Sequence, residues 1–85
     1  MLKVYATNWC PHCRRMVHFL DRHQIEFEYI DIEKQSDDVV QLVIDANGGD
    51  DWVVPTLEYN GNWRPGKKHN EEEIRRDLEV MGLTI

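Results

Sequence analysis

Apolar and polar residues along this chain follow two periods, and the switches between them mark out seven elements. Residues 2–6 are a short apolar-rich run with β-branched and aromatic members that stops at the polar Thr7-Asn8, the pattern of a strand feeding a loop. From Cys13 the apolar positions fall at Met16, Val17 and Leu20, the spacing of one helix face. Pro11 suits a first helical position, where its missing N–H would have no partner in any case. Residues 25–32 set Ile25, Phe27 and Tyr29 against Glu26 and Glu28 and predict a second strand, parallel to the first if the helix between them crosses over. Ser36 caps a second helix with the face Val39, Leu42, Val43 and Ala46, and Asn47-Gly48-Gly49 stops it with residues that tolerate positive φ. Val53-Val54-Pro55-Thr56-Leu57 begins a third strand, and Asn60-Gly61 is a hairpin turn into Asn62-Trp63-Arg64. Asn70, followed three residues later by Glu73, reads as a capping box for a last helix whose buried stripe is Ile74, Leu78 and Met81.

The order β-α-β-α-β-β-α predicts an α/β fold, a four-stranded mixed sheet with three helices. A chain of 85 residues closes one core and has no room for a second, so residues 1–85 are expected to form a single domain. The 41% apolar and 31% charged shares are those of a soluble globular protein, with no low-complexity tract or internal repeat. A formal charge of -6 repels phosphate backbones and anionic lipid surfaces, which argues against nucleic-acid and membrane partners. No long apolar stretch follows Lys3, so the N-terminus reads as a strand and not as a secretory signal, and nothing is long enough to span a bilayer. The expected location is therefore cytoplasmic. In a reducing compartment a close cysteine pair is more often catalytic or metal-binding than a structural disulfide.

That pair is Cys10-Pro11-His12-Cys13, with Cys10 at a predicted helix N-terminus. A thiolate, not a thiol, attacks a disulfide, and a free cysteine with a pKa of about 8.5 is little ionised at neutral pH. A helix N-terminus lowers such a pKa through its dipole and unpaired N–H groups, to roughly 3.5–7.5 in Cys-x-x-Cys sites. Cys10 is thus read as the nucleophile, and Cys13, one turn further in, as the residue that resolves a mixed disulfide at Cys10. The competing reading is a zinc site completed by His12, His18 or His23. A second Cys-x-x-Cys or a His pair at finger spacing is missing, and Pro11 suits a helix start better than a zinc knuckle, so no metal is expected. His18 and His23 read as solvated helix positions. His12, between the cysteines, is expected to be exposed beside the thiolate and, with Pro11, to tune its redox poise.

The segment Val4-Tyr5-Ala6-Thr7-Asn8-Trp9-Cys10-Pro11-His12-Cys13 resembles the strand, loop and active-site start of the glutaredoxins, and Val54-Pro55-Thr56 resembles their Val-Pro element. The resemblance spans nearly the whole chain and implies a thioredoxin-like fold and thiol–disulfide oxidoreductase activity. It also implies a cis Val54-Pro55 bond beside the cysteines, with the backbone of Val54 pairing with the peptide-like part of a bound thiol. Asn47-Gly48-Gly49 ahead of Val53-Val54-Pro55-Thr56 resembles the mycothiol-linked mycoredoxins, whereas Trp63-Arg64-Pro65 is similar to redoxins that serve ribonucleotide reductase. The usual glutaredoxin has Gly-Gly and Asp after the hairpin to hold glutathione; this chain has Pro65-Gly66-Lys67-Lys68-His69-Asn70 instead.

Candidate substrate contacts are Thr7 and Trp9 ahead of the motif, Val54 and Pro55, and Lys67 and Asn70, which can attract and receive a carboxylate. Trp9, Trp52 and Trp63 bracket the segments expected around the site; at least one of them belongs to the core in so small a chain. Glu71-Glu72-Glu73 is a dipole-favourable helix start without further function. The sequence points to a monomeric enzyme without cofactor that reduces protein disulfides or mixed disulfides. It would be recycled by glutathione, mycothiol or another low-molecular-weight thiol, or by thioredoxin reductase. Its rivals are a dedicated electron donor to a partner such as ribonucleotide reductase, and a carrier in which two chains share an iron–sulfur cluster through Cys10 and glutathione.

Overall fold

The first strand runs where alternation places it, β1 at Leu2–Ala6, and sends its side chains to opposite faces. The computed structural model describes residues 1–84. After β1 come α1 (Pro11–Arg22), β2 (Phe27–Asp31), a 3-10 turn (Ile32–Lys34), α2 (Asp37–Ala46), β3 (Thr56–Tyr59), β4 (Asn62–Arg64) and α3 (Glu71–Val80). The strands form one mixed sheet in the order β2-β1-β3-β4, with β1 and β2 parallel and the remaining pairs antiparallel. This is the α/β architecture that the element order predicts.

Leu2, Val4 and Ala6 face a core built with α1 (Cys13, Met16, Phe19, Leu20) and α3 (Ile74, Leu78, Met81). Tyr5 faces the other way, onto Ile32 and Val43, with Val39, Val40, Trp52 and Trp63 around them. Two helices therefore cover one face of the sheet and α2 the other. Burying each of the large apolar side chains stabilises the fold by roughly 1.5–3 kcal/mol.

Three boundaries differ from the pattern. β2 begins at Phe27, not Ile25, because Gln24 takes a positive φ of 56° and the Ile25 N–H closes α1 on the Leu20 carbonyl at 2.9 Å. β3 begins at Thr56, the first residue that pairs with Tyr5, so Val53, Val54 and Pro55 lie in the loop ahead of it. In α2 only Val43 is fully buried; Val39 and Val40 lean on the second core and Leu42 is 52% exposed, so the predicted face is rotated. The hairpin keeps its predicted turn, with φ of 50° at Asn60 and 83° at Gly61, the conformation that a two-residue loop between twisted strands requires.

Candidate active site

Cys10 is the N-cap of α1, with extended backbone (φ -86°, ψ 119°), and Pro11 opens the helix. The Cys10 carbonyl accepts the first intrahelical bond from the Arg14 N–H at 3.2 Å, and its Sγ accepts the Cys13 N–H at 3.4 Å. The sulfur thus does what the oxygen of a capping serine does, satisfying an otherwise unpaired donor with an atom that can carry negative charge. Both cysteines are free. Cys10 retains 7% of its surface and Cys13 1%, so Cys10 is the sulfur an incoming disulfide meets first.

The wall opposite is the loop before β3. The Val54-Pro55 bond is cis, the isomer that the resemblance implies, and the Cys10 thiol lies 3.9 Å from the Val54 carbonyl oxygen. Several hydrogen bonds hold this loop. The Thr56 hydroxyl donates to the Val53 carbonyl at 2.6 Å, and the Asn47 amide donates to the Thr56 hydroxyl at 2.9 Å and the Val43 carbonyl at 2.8 Å. Asn47 Oδ1 in turn accepts the Gly66 N–H at 2.8 Å. Gly66 sits so close to Val53 that a Cβ there would fall 2.3 Å from Val53 Cγ1 and 2.9 Å from its carbonyl carbon, so no larger residue fits.

Behind Cys10, burial pushes the Cys13 thiol from its ordinary 9.0 up to about 12, and the hydrogen bond and charge of Cys10 add to the effect. Thr7 works the other way through its backbone and its hydroxyl. Thr7 is fully buried, and its hydroxyl has no hydrogen-bond partner among the described residues, while its position favours the Cys13 thiolate. Thr7, Cys13, Val17, His18 and Tyr29 line a largely apolar cavity of about 280 Å³ on this side.

The remaining sequence candidates divide. Trp9 is 58% exposed beside Cys10, and its indole N–H donates to Glu33 at 2.9 Å. His12 is half-buried, not exposed as expected, because Arg15 Nη1 lies 3.4 Å from its Nδ1. His18 stays exposed, but His23 packs on the Phe19 ring with centroids 4.3 Å apart instead of facing solvent. Trp52 and Trp63 belong to the second core, Trp63 stacked on Tyr5 at 5.6 Å. Lys67 reaches Asp77 at 3.1 Å, and the Asn70 side chain caps α3 by accepting the Glu73 N–H at 2.9 Å, so both are engaged within the chain. They line a separate cavity of about 440 Å³ with Lys68, His69 and Glu73, none of which lines the cavity at Cys13. Sequence reasoning missed Arg14, whose Nη2 donates to the Trp9 carbonyl at 3.4 Å, and Arg15; their signal was basic residues in α1 without an acidic neighbour one turn away.

A glutaredoxin family model matches residues 2–63. The chain is 33% identical over 57 residues to Mycoredoxin 1 of Corynebacterium glutamicum, which covers 67% of each protein. Among solved structures, a glutaredoxin from Archaeoglobus fulgidus superposes with a TM-score of 0.71 at 28% identity, over 91% of this chain and 84% of the other. The thioredoxin-like protein BC3987 superposes at 0.69 and 24% identity, over 92% and 100%, a likeness of fold alone.

Proposed function

The chain belongs to the glutaredoxin family, and we propose that it reduces protein disulfides or mixed disulfides through a Cys10/Cys13 dithiol cycle. The observation that carries this reading is the Cys10 sulfur at the head of α1, receiving the Cys13 N–H at 3.4 Å with the buried Cys13 thiol directly behind it. The Cys10 thiolate attacks one sulfur of the substrate disulfide. A Cys10–substrate bond forms, the substrate S–S bond breaks, and the leaving thiolate takes up a proton. In that mixed disulfide the Cys10 sulfur no longer carries charge, so the contribution of Cys10 to holding the Cys13 proton is gone, while the contacts of Thr7 that favour the thiolate remain. Cys13 then loses its proton and attacks Cys10, forming the Cys10–Cys13 disulfide and releasing the second substrate thiol. Two electrons have passed to substrate, and two thiol equivalents from the reductant restore the pair.

The reductant follows from the β4–α3 turn. Pro65-Gly66-Lys67-Lys68-His69-Asn70 lacks the Gly-Gly-Asp arrangement that holds glutathione, and Lys67 is occupied by Asp77. Mycothiol or thioredoxin reductase is therefore proposed as the better electron source, with the cycle running in the cytoplasm. A coupled assay with a mixed-disulfide substrate, comparing glutathione, mycothiol and thioredoxin reductase, tests both levels. Saturable turnover at low glutathione would overturn the choice of reductant, and no turnover with any of the three would overturn the function.

A further inference from the structure

The chain carries a formal charge of -6, yet no carboxylate precedes Asp21 in α1. Arg14 and Arg15 are exposed in that stretch, and their guanidiniums reach residues on either side of Cys10 in the chain. Arg14 Nη2 donates to the carbonyl of Trp9, the residue before Cys10, at 3.4 Å; Arg15 Nη1 lies 3.4 Å from Nδ1 of His12, two residues after it. Among the described residues neither cation has a carboxylate within ion-pairing distance, whereas Arg22 pairs with Glu71 and Arg64 and Lys67 with Asp77. Each guanidinium has five donors and spends few of them inside the chain. Cations near a helix N-terminus also oppose the helix dipole, so their placement works against local stability.

We propose that Arg14 and Arg15 form a cationic collar around Cys10 that selects protein disulfides flanked by acidic side chains. The proposal rests on the thiol–disulfide reading and adds the partner's chemistry. Charge complementarity favours an anionic segment: two cations without an ion-pair partner reach the residues flanking Cys10 in the chain, against one carboxylate at the Trp9 rim, Glu33, which accepts the Trp9 indole N–H. The occupant is a protein segment because the rim is open, with the indole of Trp9 (58% exposed) and the side chain of Val53 (44%) as apolar platforms flanking the Cys10–Val54 contact.

Two disulfide peptides that differ only in Glu or Gln beside the cysteines test it. At low ionic strength wild-type kcat/KM should favour the Glu peptide on the order of fivefold, the scale of one or two exposed ion pairs. The preference should shrink with added salt and fall to near one in Arg14→Gln/Arg15→Gln. Equal rates on both peptides, or a preference that survives the double substitution, would overturn the collar. Versions of the peptides with serine for cysteine need no redox step. Their binding, followed by isothermal titration calorimetry, should show the same Glu preference even if turnover fails, which separates failure of the collar from failure of the redox reading.

Discussion

The backbone N–H of Cys13 donates to the Sγ of Cys10 at 3.4 Å, while the Cys13 thiol itself stays buried. One residue therefore supports the Cys10 sulfur with its main chain and keeps its own sulfur buried, which fits the proposed order of the two thiol steps.

Cys10→Ser should abolish disulfide reduction, since no other residue is placed to form the mixed disulfide. Cys13→Ser should lose mainly the dithiol route and accumulate a covalent adduct at Cys10, visible as a mass increase equal to the substrate thiol less two hydrogens. Near wild-type turnover in Cys10→Ser, with loss in Cys13→Ser, would reverse the assigned roles.

Alkaline stability should depend on redox state. Cys13 is raised from 9.0 to about 12 by burial first and by Cys10 second, so the folded state holds this proton more tightly than the unfolded chain. Its contribution is complete below the unfolded value and is lost as pH climbs toward the folded one. Urea midpoints of the reduced wild type should therefore fall, relative to Cys13→Ala, as pH rises from about 9 toward about 12. Parallel curves would show that burial does not hold the proton.

His12 should raise the redox potential. A guanidinium offers no acceptor, so Nδ1 receives the Arg15 contact and Nε2–H remains the donor of the ring. An imidazole donor that turns to the Cys10 sulfur favours the reduced form and hence a potential at or above about -200 to -230 mV. His12→Tyr should lower it on the order of 30 mV, equivalent to roughly 1.4 kcal/mol, in equilibration against a thiol redox buffer. An unchanged potential would mean that the helix terminus, not the histidine, tunes the thiolate.

Arg64, 2% exposed, donates from Nε to Asp77 Oδ2 at 2.8 Å and anchors β4 to α3. Burial alone would raise the Asp77 carboxyl, but the hydrogen bonds and charges of Arg64 and Lys67 outweigh it and hold the carboxyl below its usual range. Asp77→Ala should cost up to about 3 kcal/mol, because the buried guanidinium loses its hydrogen-bonded partner and keeps only the longer Glu73 contact at 3.6 Å. The support exists above the unfolded carboxylate value and disappears as pH falls through the depressed one, so wild-type and variant denaturation midpoints should converge in acid.

The purified protein should be a colourless monomer, because Pro11 at the first position of α1 stiffens the loop that a cluster-bridged dimer would have to open. Stoichiometric iron and acid-labile sulfide with visible absorbance after anaerobic purification would contradict this.

What the sequence disclosed was whatever a local rule governs. Pro11 at a helix start, the Asn60-Gly61 turn and the Asn70 cap each depend on a few neighbouring residues, and each was legible. The exposed Leu42 was not, because the rotation of α2 is set by how Val39, Val40 and Val43 meet the sheet, and an apolar pattern leaves that angle open. The same holds at the site. Cys10 and Cys13 stand out by spacing, whereas the Trp9–Glu33 bond and the Arg64–Asp77 pair join residues brought together only by the crossing of distant elements. Thr7 was named as a substrate contact, but its burial against Cys13 depends on how the β1–α1 loop turns inward.

An engineer who wished to graft a different thiol-recognition turn between β4 and α3 would find one position closed to redesign. Gly66 lies against Val53 with no room for a methyl group, and its N–H is the third strand of the knot that Asn47 ties between α2 and Thr56. A replacement turn that kept Gly66 would be free to vary Lys67, Lys68 and His69. One that lost it would push Val53, and with it the neighbouring Val54 carbonyl, away from the Cys10 sulfur, so a change aimed at the reductant would be read out as damage to the redox centre.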